Sequence, residues 1–399
     1  MRVLIVSFFY EPEIGAAPCR IANLAKGMYS KGINVDVLTS LPNYPKGRIF
    51  EGYRGRLSMH EVCEGINIHR YWTYATVSKN IVLRVFAMFS FAFTLWSYFF
   101  YFKKIRSYDR VIIQSPPIVV AASALLLFGK VFRKHTVLNV SDLWPSSAVE
   151  LGYMKEGSLS FRFTSMIERF LYKNATDVMG QSVEILNRVK ELQPSKKCFL
   201  YRNLFRPASD SCGINTDSLH NRKPLKIVYA GLLGVAQNIY SLICNVDFKA
   251  LSVEMHIYGG GNQTEDICRY IENGDKNIFY HGVVSKKQID CEMPGYDLSI
   301  VTLANNITGA VPSKIFDLLP AGVPILFCGE GEGADIVNRY GFGLLSAHDD
   351  YNSISENINR FANMTESQYN LYSNNCIKAS RTVFSFDSQI EKYIDFLRQ

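Results

Sequence analysis

The chain has 399 residues, 48% apolar and 20% charged, with a formal charge of +7. That length exceeds one ordinary core and suits two domains, and the balance excludes a largely disordered chain. Nine cysteines without a C-x-x-C pair argue against a disulfide framework or zinc site and for free thiols in a reducing cytoplasm.

The first apolar run, RVLIVSF at 2–8, follows a single basic residue and continues into YEPEIG without a small-residue cleavage site. It reads as a buried strand and not as a secretory signal. Further β-branched runs at 34–39, 66–71, 110–115, 135–141, 176–181 and 198–202 are separated by helical patterns. That alternation predicts a doubly wound α/β domain over 1–205. The stretch 206–224, rich in Pro, Ser, Asn, Asp and Gly, reads as a linker. Beyond it strands are predicted at 225–231, 254–259, 277–282, 298–303, 324–329 and 342–346, so 225–384 forms a second domain of the same class. The tail is helical, and the segment 385–399 is expected to cross back to the first domain.

Residues 85–102, VFAMFSFAFTLWSYFFYF, hold ten aromatics between Arg84 and the basic group Lys103, Lys104 and Arg106. A helix of that length is about 27 Å long, close to a membrane span. A single crossing would put the strands before and after it on opposite sides of the bilayer, where they could not share a sheet. An interfacial helix keeps the domain whole, and aromatic residues flanked by Lys and Arg suit headgroup depth. The next apolar segment, 118–132, also ends in basic residues, Lys130, Arg133 and Lys134. Both helices are therefore expected to dock on anionic lipid, against the plainer alternative that they are buried on the sheet. The +7 charge by itself suits nucleic acid, such a surface or a phosphate-bearing substrate without choosing among them, and no nucleic-acid partner is expected.

Ligands of doubly wound sheets bind at the carboxyl ends of strands. Gly15 and Ala16, in the turn after the first strand, are placed for that, although a glycine there often serves only the turn. In the second domain, Asn305 to Gly309 form a polar loop, and Pro312, Ser313 and Lys314 open a helix. Pro suits the first helical position, and a cation in the first turn opposes the macrodipole unless an anion is bound beside it. Lys314 is thus a candidate phosphate ligand, or else a solvated lysine. Asp317, on the same helix face, could accept from a ribose diol or pair with a neighbouring lysine.

With these residues in view, the chain resembles the retaining glycosyltransferases of family 4, which have the GT-B fold of two Rossmann-like domains facing across a cleft. The likeness runs through YEPEIG at 10–15, KGINVDVLT at 31–39, LPNYPKG at 41–47, SDLWP at 141–145, YAGLLG at 229–234 and PSKIFD at 312–317. The subgroup it is most similar to includes N-acetylfucosamine transferases of O-antigen and capsule assembly. That resemblance implies a UDP-sugar donor and a polyprenyl-diphosphate-linked acceptor glycan, and the aromatic belt with its basic flanks leads to the expectation of peripheral attachment to the inner face of the cell membrane. Position by position, it implies that Gly15 and Ala16 approach the donor phosphate and that Asp142 sits at the sugar end. Gly231, Gly234 and Asn238 would line the donor site with Thr308, Gly309, Ala310, Val311 and Ser313. Gly309 and Asp317 occupy the two acidic positions of the family's E-x7-E motif, and only Asp317 keeps the acid. The arginine and lysine that the family places after the strand at 225–231 are replaced here by Leu232 and Asn238, so Lys314, Arg202 and the helix start become the candidates for phosphate neutralisation.

No D-x-D triplet occurs, so catalysis is expected to need no metal and no cofactor, with fixed positive potential assisting the leaving group. Two rivals stand beside this reading: a GT-B sugar-nucleotide epimerase, and a non-catalytic sugar-nucleotide-binding subunit.

Overall fold

A computed structural model describes residues 1–76, 78, 80–205, 224–274, 276–303 and 307–399. The chain divides into two compact units, Met1–Asn203 with Asp387–Gln399, and Leu204–Phe386. Residues 206–223 of the expected linker and Asn305 of the expected polar loop lie outside the described residues.

The first unit is built on an eight-stranded sheet. Its strands are β1 (Arg2–Val6), β2 (Asn34–Ser40), β3 (Ser58–Cys63), β4 (Ile66–Tyr71), β5 (Arg110–Ser115), β6 (His135–Val140), β7 (Asp177–Gly180) and β8 (Lys197–Leu200). Their order is β3-β4-β2-β1-β5-β6-β7-β8. All neighbours are parallel except β3 and β4, whose register pairs Cys63 with Ile66. The sequence pattern predicts seven of these strands and misses β3. That strand lies at an edge with most of its residues exposed, so it lacks an apolar face to recognise. Its link to β4 is the two-residue turn Glu64-Gly65, with φ of 49° and 81°, the backbone a tight hairpin demands.

The apolar segment forms a helix over Ile81–Thr94, a tighter turn over Leu95–Tyr101 and a last helical turn over Phe102–Arg106. Its 25-residue stretch Val82–Arg106 is long and apolar enough to span a bilayer by length and composition alone. Phe91, Leu95, Tyr98 and Ile105 on its inner face are buried in the same core as Leu4, Val111 and Leu138 of the sheet. The opposite face leaves Phe86, Phe89, Phe93, Phe99 and Phe100 exposed, Phe93 and Phe100 to 81%. Lys104 fastens the carboxyl end: its Nζ lies 2.9 Å from Asp36 and 2.8 Å from His69 Nε2. Burial lowers His69 to about 4, so its ring is neutral and can accept from the ammonium. Trp96 donates to Ser123 Oγ at 2.9 Å, which ties this helix to the one beginning at Ile118.

The helix Phe386–Arg398 completes the unit from Asp387 onward. Tyr393 is fully buried, with ring centroids 5.2 Å from Phe199 and 5.4 Å from Tyr201. Gln389 exchanges two hydrogen bonds with the backbone of Arg202.

The second unit has six parallel strands, β9 (Leu225–Ala230), β10 (Val253–Tyr258), β11 (Ile278–Gly282), β12 (Leu298–Thr302), β13 (Ile325–Cys328) and β14 (Gly343–Ser346). All six fall where the pattern predicts them, in the order β11-β10-β9-β12-β13-β14. The order reverses between β9 and β12, which makes the carboxyl ends of these two strands the switch point where a ligand crevice opens.

Candidate active site

A cavity of about 590 Å³ opens at that switch point, wholly within the second unit. One part of its wall is backbone. The loop after β9 (Gly231 onward) lies against the loop after β10 (Tyr258-Gly259-Gly260), where Gly231 N donates to Tyr258 O at 2.9 Å and Leu233 N to Gly260 O at 3.1 Å. A Cβ on Gly259 would stand 1.8 Å from Gly231 O, so only glycine permits the approach. Another part is an apolar wall that includes Val283, Val284, Ile289, Met293 and Pro294.

Lys314 and Asp317 both line this cavity. The Lys314 ammonium donates to Tyr229 OH at 2.6 Å and lies 3.9 Å from the centroid of the same ring. It packs so closely over Gly231 that a Cβ there would fall 2.2 Å from Nζ. Burial drives its pKa down to about 7, opposed by the Asp317 carboxylate. An ammonium held at that cost is poised to accept an anion. The Asp317 carboxyl is pushed up by burial and held down by Lys286. Lys286 Nζ stands 3.4 Å from Asp317 Oδ1 without the alignment of a hydrogen bond; its firmer partner is Asp290, at 2.6 Å.

The helix expected to open at Pro312 begins at Lys314 and ends at Leu318, with Ser313 at its cap position, before a tighter turn over Leu319–Ala321. The expected helix start at Pro312 is corrected to Lys314. Five residues align few peptide dipoles, so the side-chain charge of Lys314 carries the field there. Gly234, Asn238, Thr308, Gly309, Ala310, Val311 and Ser313 are not among the residues that line the cavity. Asn238 instead takes a left-handed conformation, φ 47°, before the helix at Ile239. Asparagine tolerates that geometry better than lysine does, which gives a backbone reason for its presence.

Gly15, Ala16, Asp142 and Arg202 belong to the first unit. Gly15 and Ala16 lie at the start of the helix Ala16–Ser30, after β1. Asp142 follows β6, its carboxyl raised by burial and lowered by the Arg20 guanidinium. Arg20 donates to Gln181 Oε1 at 2.7 Å, while its buried Nε has no hydrogen-bond partner among the described residues. Arg202 donates from Nη1 to Gln181 O at 3.2 Å, a structural contact within the first unit. Sequence reasoning missed Tyr229, Gly259, Gly260, Lys286, Asp290 and Arg20. The run YGGG at 258–261, at a strand end, was a usable signal for the second glycine loop.

Residues 15–197 match the model of the glycosyl transferase 4-like domain. No curated protein matches the chain in sequence. Solved structures match over its full length. Sucrose-phosphate synthase from Thermosynechococcus elongatus is 12% identical with a TM-score of 0.71, covering 100% of this chain and 98% of that one. WaaG, a glycosyltransferase involved in lipopolysaccharide biosynthesis, is 11% identical with a TM-score of 0.64 and 99% of both chains covered. Anabaena HepE, solved in complex with UDP-glucose, is 13% identical with a TM-score of 0.63, again over 99% of both chains. The fold is that of the GT-B glycosyltransferases, and with the domain match the chain is an enzyme of the glycosyltransferase class. More narrowly, its first unit carries the glycosyl transferase 4-like domain.

Proposed function

We propose that this enzyme transfers a sugar from a UDP-sugar to a polyprenyl-diphosphate-linked glycan, with retention and without a metal, in surface polysaccharide assembly such as O-antigen or capsule. The observation that carries the donor half is the Lys314 ammonium, half-buried and packed over Gly231 in a cavity at the switch point. The donor diphosphate lies against Lys314 and the glycine loops, the base against the apolar wall at Val283 and Val284, and the ribose diol donates to Asp317. Lys314 thereby takes over the charge that relatives supply from the loop holding Leu232 and Asn238. As the bond from the anomeric carbon to the phosphate oxygen breaks, negative charge grows on the leaving phosphate and Lys314 stabilises it. The acceptor hydroxyl bonds to the same carbon from the same face and gives its proton to the departing phosphate oxygen. For Asp142 the family likeness favours a contact with sugar hydroxyls. An N-acetylated deoxyhexosamine such as N-acetyl-L-fucosamine is the sugar that the family likeness favours.

Membrane attachment at the inner face belongs to the same proposal. The inner face of the helix at 82–106 is part of the sheet's core, so a crossing would dismantle the first unit. Its exposed phenylalanines can enter the interface while Lys103 and Arg106 meet anionic headgroups. A thermal-shift screen against UDP-, GDP- and dTDP-sugars, followed by transfer to a lipid-linked acceptor, tests the proposal. A protein stabilised by no UDP-sugar contradicts the donor assignment, and donor binding without transfer or hydrolysis contradicts the catalytic one.

A further inference from the structure

We propose that Tyr229 is a positioning residue that holds the Lys314 ammonium over Gly231 and so fixes where positive charge meets the donor diphosphate. This rests on the assignment of Lys314 to the diphosphate made above.

Lysine carries its charge on a flexible four-carbon stem, and a compact ammonium has no preferred fork geometry to orient it. The Tyr229 ring, near the end of β9, is fully buried and cannot follow that motion. Its hydroxyl donates its single proton to Leu232 O at 2.6 Å, which leaves only lone pairs for the ammonium. Lys314 must therefore be the donor in the 2.6 Å contact, and the ring face adds a second attraction at 3.9 Å. Burial raises the Tyr229 hydroxyl far above its usual range, so the phenol stays neutral and keeps this polarity. One hydroxyl thus links the ammonium to the backbone of the β9 loop, the loop whose Gly231 borders the cavity. The other charges facing Lys314 come from Asp317 and, beyond it, Lys286 and Asp290. Among the described residues none forms an ion pair with Lys314. An ammonium has three protons to donate, and Tyr229 takes one, leaving donors for phosphate oxygens.

Calorimetric titration with UDP-glucose, whose diphosphate diester does not ionise in the range, and with uridine, which has no phosphate, tests this between about pH 5.5 and 9. Wild type should bind UDP-glucose with an affinity that falls above about pH 7, and Lys314→Met should remove that limb. Losing the hydroxyl removes an acceptor from the charged amine, so Tyr229→Phe should move the limb down by about one pH unit. UDP-glucose binding should then weaken about tenfold near pH 7.5, with less effect at pH 5.5 and none on uridine. A merely structural defect would weaken uridine equally, which would overturn the inference. Wild-type affinity and limb in Tyr229→Phe, with the limb absent in Lys314→Met, would overturn the role of Tyr229 and leave that of Lys314. A limb unchanged in Lys314→Met would remove both. Lys314→Arg gives a second test that leaves Tyr229 intact: its larger head cannot occupy the position over Gly231, so UDP-glucose affinity should fall. Wild-type affinity in that variant would show that the held position is unimportant.

Discussion

Replacing Lys314 with methionine should make the protein more stable while weakening its affinity for the donor. A fall in the lysine pKa from 10.5 to about 7, at about 1.4 kcal/mol for each pH unit, costs the folded state up to about 5 kcal/mol. The folded value lies below the unfolded one, so between about pH 7 and 10.5 the unfolded chain holds a proton that the folded chain has released. Stability therefore rises with pH through that window, and the cost is complete below about pH 7. Methionine keeps most of the stem's packing and removes the charge, but leaves the Tyr229 hydroxyl with one contact fewer, which returns about 1–2 kcal/mol. The net gain at pH 6 is then about 2–4 kcal/mol, or roughly 5–10 °C in Tm for a unit of this size. Scanning calorimetry at pH 6 and near pH 10 measures it. The variant should melt higher at pH 6, converge on wild type near pH 10, and be stabilised less by UDP-glucose than wild type is at pH 6. A variant that melts lower at pH 6, or a gap that does not change with pH, would refute the reasoning.

Asp317→Asn should raise the Kd for UDP by about tenfold with a smaller change in kcat, because ribose hydroxyls alter little on the way to the transition state; equal losses in both, measured by steady-state kinetics, would contradict that. Gly231→Ala should cut UDP-glucose binding by about a hundredfold, since the new methyl would meet Lys314 Cε at 2.1 Å and push the ammonium away; calorimetry showing intact binding would mean the charge acts from elsewhere. Changing Phe89, Phe93 and Phe100 to Ser should release the protein from anionic vesicles in a sedimentation assay without lowering Tm, as all three rings are exposed. Transfer should survive EDTA, and activity lost to chelation and restored by magnesium would oppose the metal-independent mechanism.

Where a segment carried its own pattern, the sequence was enough. The strand runs from RVLIVSF to GLLS have apolar positions set by burial on the sheet, and the six strands of the second unit fall where expected. β3 failed because its residues face solvent and pair only through backbone, leaving Glu64-Gly65 as the single local clue. Lys314 was found as a motif position, but its packing was not legible. It depends on Tyr229 and Gly231, more than eighty residues earlier in the chain, and no local rule reports such a distance. The shortness of the helix at Lys314–Leu318 was hidden for a related reason, since IFDLLP continues an apolar pattern past the point where the backbone tightens. The split face of the helix at 82–106 was half visible. Its aromatics said that something apolar covers them, while only the assembled core says which ones the protein covers itself.

The helix Phe386–Arg398 has a consequence for how the protein is made. On the ribosome, β8 emerges early, yet Phe199 and Tyr201 acquire their Tyr393 neighbour only after the entire second unit has been translated. Domains usually fold as they appear, amino-terminal first. Here the earlier domain must wait, with an aromatic edge uncovered, for the later one to be synthesised. That interval offers chaperones a defined sticky surface, and a stalled or prematurely terminated chain would present the same edge to the quality-control machinery.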